Sequence, residues 1–154
     1  VDIPVDRARW RLTLSGRLHP RLLLGVEVNP GESEIGPLAN VILLTETDRR
    51  PTLFLGTSSD RIGSPAGRQS YYATAAKRLG DTPIAPYVTL NWSEWDEGFN
   101  VPFGVDLSWG SAFVRPMYDG ERSHLVAGWQ RDALTVSALW VWFEHAGISL
   151  SYGI

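Results

Sequence analysis

The sequence predicts a single all-β domain over residues 1–154, an antiparallel up-and-down β-barrel of about 8–10 strands that crosses a membrane. Three observations lead there. Apolar and polar residues alternate with period two from one end of the chain to the other, and no window shows a comparable helical period. Turn-forming residues separate the runs. The polar positions hold small residues, where a soluble surface would carry lysines.

The runs follow one another without a linker or low-complexity tract. Trp10, Leu12, Leu14 and Leu18 alternate with Arg9, Arg11, Thr13, Ser15 and Arg17, and Leu22, Leu24, Val26 and Val28 form the second apolar row. Further runs are expected at about 40–47, 52–57, 70–79 and 87–93. In the last third, Phe103–Gly110, His124–Gln130, Leu134–Trp142 and Ile148–Ile154 alternate most clearly. His19-Pro20, Asp48–Pro51, Gly80–Pro83, Asp119-Gly120, Arg131-Asp132 and Ala146-Gly147 supply short turns. Longer breaks fall at Asn29–Pro37, Ser58–Gln69 and Glu94–Pro102. They follow strands two, four and six, which puts them on the side of both termini. In an outer-membrane barrel the long loops and the termini lie on opposite sides.

Composition narrows the function. The net charge is −3, with thirteen arginines and one lysine, Lys77, so no basic field points to nucleic acid. The absence of cysteine excludes a disulfide framework, a thiolate metal site and a cysteine nucleophile. No apolar stretch is long enough for a transmembrane helix. The chain opens Val1-Asp2-Ile3-Pro4 without methionine, as expected of a mature chain whose signal peptide has been removed.

Small polar residues such as Gly104, Ser108, Gly128, Ser137, Ser149 and Ser151 suit a crowded lumen. Arg11, Glu27, Glu46, Arg78 and Asp106 are the charged residues expected to face it and to pair there. On the opposite face, Trp10, Trp109, Trp129, Trp140, Trp142 and Tyr152 are expected against lipid or in an aromatic girdle.

No constellation specifies catalysis, a cofactor or a metal. His19, His124 and His145 show no ligand spacing, and the reading for each is a polar residue in a turn or at a strand end. Ser123, His124 and Asp119 contain the residue types of a hydrolytic triad, but sequence adjacency does not assemble one. Glu94-Trp95-Asp96-Glu97-Gly98 reads as a solvated loop. Its carboxylates suit calcium, and with Trp92 and Phe99 its rings suit sugar stacking.

The C-terminus carries a spacing used by outer-membrane barrels as an insertion signal: His145, Gly147, Leu150 and Tyr152, with Ile154 at the end where phenylalanine is usual. Between Ala39 and Tyr152, Pro51–Gly63, Tyr71–Arg78, Pro102-Phe103-Gly104 and Tyr118-Asp119-Gly120 resemble the YjbH-like outer-membrane β-barrel family, whose members are generally much larger. That resemblance implies a bacterial outer-membrane location and a structural, scaffold or export-related role linked to exopolysaccharide, without enzymatic activity. The expected partners are membrane lipid, the outer-membrane insertion machinery that would read the C-terminal signal, the polysaccharide that the resemblance implies, other envelope proteins and, because a barrel of about ten strands has only a narrow lumen, further copies of the chain. Two alternatives stay open: a soluble β-barrel binding an apolar small ligand, and a lipid-modifying outer-membrane enzyme.

Overall fold

The computed structural model describes residues 11–31, 33–60 and 64–153, and every regular element among them is a strand. The twelve strands are β1 (Leu12–His19), β2 (Leu22–Asn29), β3 (Glu34–Leu44), β4 (Thr52–Ser59), β5 (Gln69–Ala76), β6 (Ile84–Ser93), β7 (Gly98–Asn100), β8 (Phe103–Trp109), β9 (Ala112–Tyr118), β10 (Ser123–Arg131), β11 (Leu134–Val141) and β12 (His145–Tyr152). They form one antiparallel sheet in which each strand pairs with its neighbours in the chain. The exception is β7, which sits off the main path and pairs β6 just beyond β8. Thr89 N donates to Pro102 O across the break, so β7 and β8 act as two pieces of a single partner strand.

The meander is as expected, but two parts of the expectation are corrected. Twelve strands lie among the described residues, because β9 and β7 fall where the sequence predicts no strand. Arg115 and Pro116 interrupt the pattern of β9, and proline is a poor strand residue. Pro37, assigned to a break, lies inside β3. The turn assigned to Ala146-Gly147 is instead made by Trp142 and Phe143, both left-handed at φ 55° and 59°. Glu144 N closes it on Val141 O at 3.0 Å.

The second correction concerns closure: the sheet is open, with β1 and β12 as its edges. The path holds eleven strands, counting β7 with β8, joined by ten antiparallel steps, so the two edge strands run in the same direction. Direct pairing of β1 with β12 would therefore be a parallel seam. An all-antiparallel closure takes an odd number of further strands inserted at that seam. With β9 restored, β12 ends at the rim opposite the one where β1 begins. The end of β4 and the start of β5 therefore lie on the far side from the end of β12.

We call the rim where β1 begins the upper rim and the rim where β12 ends the lower rim. No large apolar side chain is buried among the described residues. The shielded residues are polar, including Glu27, Gln69, Ser70, Thr74, Asn91, Ser93 and His124. A single sheet with no second layer shields one face only by curling toward it, so the polar face is the concave one. Register shows how the curl is accommodated. Gly56 lies opposite Tyr72, and Gly128 opposite Phe113. A Cβ on either glycine would stand 2.5 Å from the facing ring, so each ring lies down across its neighbour strand. Tyr87 covers Gly104 in the same manner.

Candidate functional site

The convex face is the most uniform surface of the molecule. Alternation and register put Leu12 and Leu14 of β1, Leu24 and Val26 of β2, and Val41 of β3 on it. It continues through Leu55, Ala73, Val88, Leu90, Val105, Val114, Leu125, Val136, Ile148 and Leu150. Leu14 is 75% exposed and Ile148 85%. Among the described strand residues, the only charge on this face is Arg131, at the lower end of β10.

Aromatic residues bracket the aliphatic zone. Tyr71, Trp92, Phe103, Tyr118 and Trp140 lie toward the upper rim, where Trp92 packs on Phe99 at 4.9 Å and Phe103 on Tyr118 at 5.3 Å. Trp109, Trp129 and Tyr152 lie toward the lower rim, all exposed. From Phe103 to Trp109 is six residue steps, about 20 Å along the strand.

Trp109, Trp129, Trp140 and Tyr152 thus stand on the convex face. Trp142 sits in the β11–β12 turn with its ring 6.4 Å from His124 and the Arg122 guanidinium 4.7 Å above it. Trp10 lies outside the described residues. Along β12, His145 and Gly147 share the concave side, while Leu150 and Tyr152 share the convex side.

The charged residues expected in a lumen separate into two groups. Arg11 pairs with Glu27 at 3.5 Å, and Glu27 also accepts from Ser59 N at 2.7 Å, reaching from β2 to β4 on the concave face. Asp106 pairs with Arg115 across β8 and β9 on the same face. Glu46 and Arg78 instead belong to the lower rim, beyond the strands. Lys77 Nζ donates to Glu46 at 3.1 Å and Arg78 N at 2.9 Å. The backbone N–H of Arg78 and then the Lys77 ammonium hold the Glu46 carboxyl below its ordinary value. The Arg78 guanidinium reaches Thr82 O rather than Glu46.

The hydrolytic triad is not assembled. His124 Nε2 and Asp119 Oδ2 are 2.6 Å apart and largely buried, but Ser123 precedes His124 on the strand and so points to the opposite face. Burial works against the Asp119 charge. The hydrogen bond with His124 and the N–H groups of Arg122 and Glu121 outweigh it and lower the carboxyl to about 2. The pair orders the β9–β10 connection.

The 94–98 loop is tied to β5 through Glu94. Glu94 accepts from Gln69 N at 3.0 Å and from the Tyr71 hydroxyl at 3.0 Å. Among the described residues no group of three acidic, histidine or cysteine side chains is arranged to hold a metal.

One cluster carried no sequence signal. Asp60 and Ser93 are almost fully buried, and Ser93 Oγ donates to Asp60 Oδ2 at 2.7 Å. Trp95 N donates to the same oxygen at 3.2 Å. These partners are more than thirty residues apart, so only the sheet register brings them together. Together with Glu34, which accepts from Gly67 N, they hold Asp60 and Gly67, at the two described ends of the β4–β5 connection, at the upper end of the sheet.

Comparison with protein-family models, curated proteins and solved structures yields no match, enzymatic or otherwise.

Proposed function

We propose that this chain forms the lipid-facing wall of a bacterial outer-membrane β-barrel, with a structural or export-related role and no chemistry of its own. One observation carries the reading. Apolar residues line the open convex face, the most deeply shielded residues of the concave face are polar although Leu23, Phe54, Phe113, Met117 and Leu139 share that face, and no apolar core exists among the described residues. In water this arrangement leaves an apolar surface far beyond the few hundred Å² of an ordinary soluble protein. In a bilayer the same face meets hydrocarbon, with aromatic residues toward both rims. The soluble ligand-binding alternative needs the leucine and tryptophan rows packed inward, which is the reverse arrangement.

The bilayer reading also requires the β1 and β12 edges to be paired, because hydrocarbon offers backbone N–H and C=O groups no partner. Among the described residues no serine is seen hydrogen-bonded to a histidine on the concave face, and the Ser93–Asp60 pair is almost fully buried, which favours a scaffold over a lipid-modifying enzyme. The resemblance to the YjbH-like barrels favours polysaccharide export as the setting, with copies or envelope proteins as partners.

The test is refolding from urea into phosphatidylcholine vesicles with and without brominated acyl chains. Bromolipid quenching of tryptophan emission, together with β-type circular dichroism, is the expected result. A monodisperse protein in detergent-free buffer, with unquenched tryptophans when vesicles are added, would overturn the reading.

A further inference from the structure

The two rims carry opposite charge. Among the described residues the lower rim holds Arg17, Arg21, Arg49, Arg50, Lys77, Arg78 and Arg131 against Glu46, Asp48, Asp81 and Asp132. The upper rim holds Arg11, Arg68 and Arg122 against nine carboxylates, those of Glu27, Glu34, Asp60, Glu94, Asp96, Glu97, Asp119, Glu121 and Glu144. A chain of net charge −3 therefore presents a cationic collar at one end. All the lower-rim arginines are exposed, and Lys77 is tied to Glu46.

The collar adjoins the convex face where its lower aromatics stand. A groove of about 330 Å³ is lined by Trp129, Arg131, Asp132, Ala133, Leu134 and Tyr152. Its lining is mostly apolar, and Arg131 and Asp132 both border it. The Asp132 carboxylate lies 4.0 Å from Arg131, but both side chains are open to solvent, so that contact is weak and screened. Aromatic rings at the headgroup level with cations just beyond them match a leaflet of negative surface charge.

We infer that the lower rim binds anionic phospholipid headgroups, with Arg131 and the Trp129–Tyr152 groove as one seat and Arg49-Arg50 as a second contact. This rests on the membrane reading above. The upper rim, being acidic, repels the same headgroups, so the chain distinguishes one leaflet chemistry from another by its ends.

The experiment uses the full chain in mixed phosphatidylcholine–phosphatidylglycerol vesicles, with bromine on one lipid or the other in matched samples. Brominated phosphatidylglycerol should quench tryptophan emission more strongly than brominated phosphatidylcholine at equal mole fraction. Arg131→Gln should reduce that selectivity by about fivefold in relative binding constant, in line with the contribution of one cation near an anionic surface. Arg49→Gln with Arg50→Gln should reduce it further, and raised salt should do so in the unsubstituted chain. Arg68→Gln at the upper rim should leave it unchanged.

Equal quenching by the two lipids, or selectivity indifferent to the lower-rim variants, overturns the inference and leaves the membrane reading intact. Quenching by neither lipid removes both. Circular dichroism of each variant shows whether it has folded, and the salt titration of the unsubstituted chain decides the question where a variant has not.

Discussion

The convex and concave faces come from the same strands, residue by residue, yet they obey different rules. On the convex face position hardly matters. Leucine, valine, isoleucine and alanine recur from β1 to β12 with almost no specific partner, and the constraint is only that charge be kept out. On the concave face side chains meet defined neighbours: Glu27 with Ser59 N, Asn40 with the Tyr72 hydroxyl, Thr74 with Thr89, Asp106 with Arg115. One face is specified by a solvent and the other by contacts. A substitution should therefore be judged by chemical class on the first and by fit on the second.

The sharpest way to break that distinction is to place a charge in the aliphatic zone. Val88 lies on the convex face of β6, 48% exposed. Val88→Lys should cost about 2–4 kcal/mol of folding stability in vesicles, the depth-dependent penalty for a cation near the bilayer middle. Urea titration of the vesicle-folded protein, followed by tryptophan emission, measures it. An unchanged or raised midpoint would mean that water, not lipid, covers this face.

The next effect belongs to fit. Gly56→Val would drive a branched side chain into Tyr72 ring atoms and Asn40 Oδ1, each 2.5 Å from the new Cβ. Overpacking of this kind costs about 1–3 kcal/mol. Gly16 on β1 is the matched control, since nothing lies within 4 Å of a Cβ there. Gly16→Val should be nearly silent in the same titration. Equal losses at the two sites would mean that strand propensity, rather than the lying-down ring, governs the response.

These two faces also explain what was legible in the sequence. The convex rule is a statement about residue class at every second position, so alternation revealed it, and the interior strands and their faces follow. The concave contacts are pairings across register. Nothing local to Asp60 announces Ser93, and nothing local to Glu27 announces Ser59. Strand β9 escaped because Arg115 and Pro116 obscure the pattern, although Arg115 is there to meet Asp106. The β11–β12 turn escaped for a related reason. Turns with two left-handed central residues normally advertise themselves by Asn-Gly or Gly, whereas here Trp142 and Phe143 adopt that backbone. Trp142 is held against Arg122 and His124, and Phe143 against Trp140 at 5.3 Å, which offsets the strain. The open edges escaped because alternation sets faces and says nothing of how a sheet ends.

A smaller effect is expected where the concave network meets the upper rim. Asp119 has a carboxyl lowered to about 2 in the folded chain, against about 4 for an unfolded aspartate. Its contribution is fully present above the unfolded value and is lost as pH falls from about 4 toward 2. Asp119→Asn should cost about 1.5 kcal/mol at neutral pH, the low end for a hydrogen bond to a charged group. It should also flatten the acid limb of stability against pH. An acid limb that survives unchanged in the variant would assign it to other carboxylates.

The smallest effect is the most informative about what fills the concavity. Asp106 and Arg115 form an ion pair whose side chains retain 37% and 42% of their exposure. If water occupies the concave side, a double-mutant cycle with Asp106→Ala and Arg115→Ala should return a coupling of about 0.2–1 kcal/mol that shrinks as salt is added. A pair sealed in a dry interior behaves differently, because removal of one partner strands a buried charge at about 3–5 kcal/mol and salt has little effect. The exposure favours the small, salt-sensitive value. A large, salt-independent coupling would mean that closure of the sheet buries this pair, and that the concave face is a packed interior rather than a wet lumen.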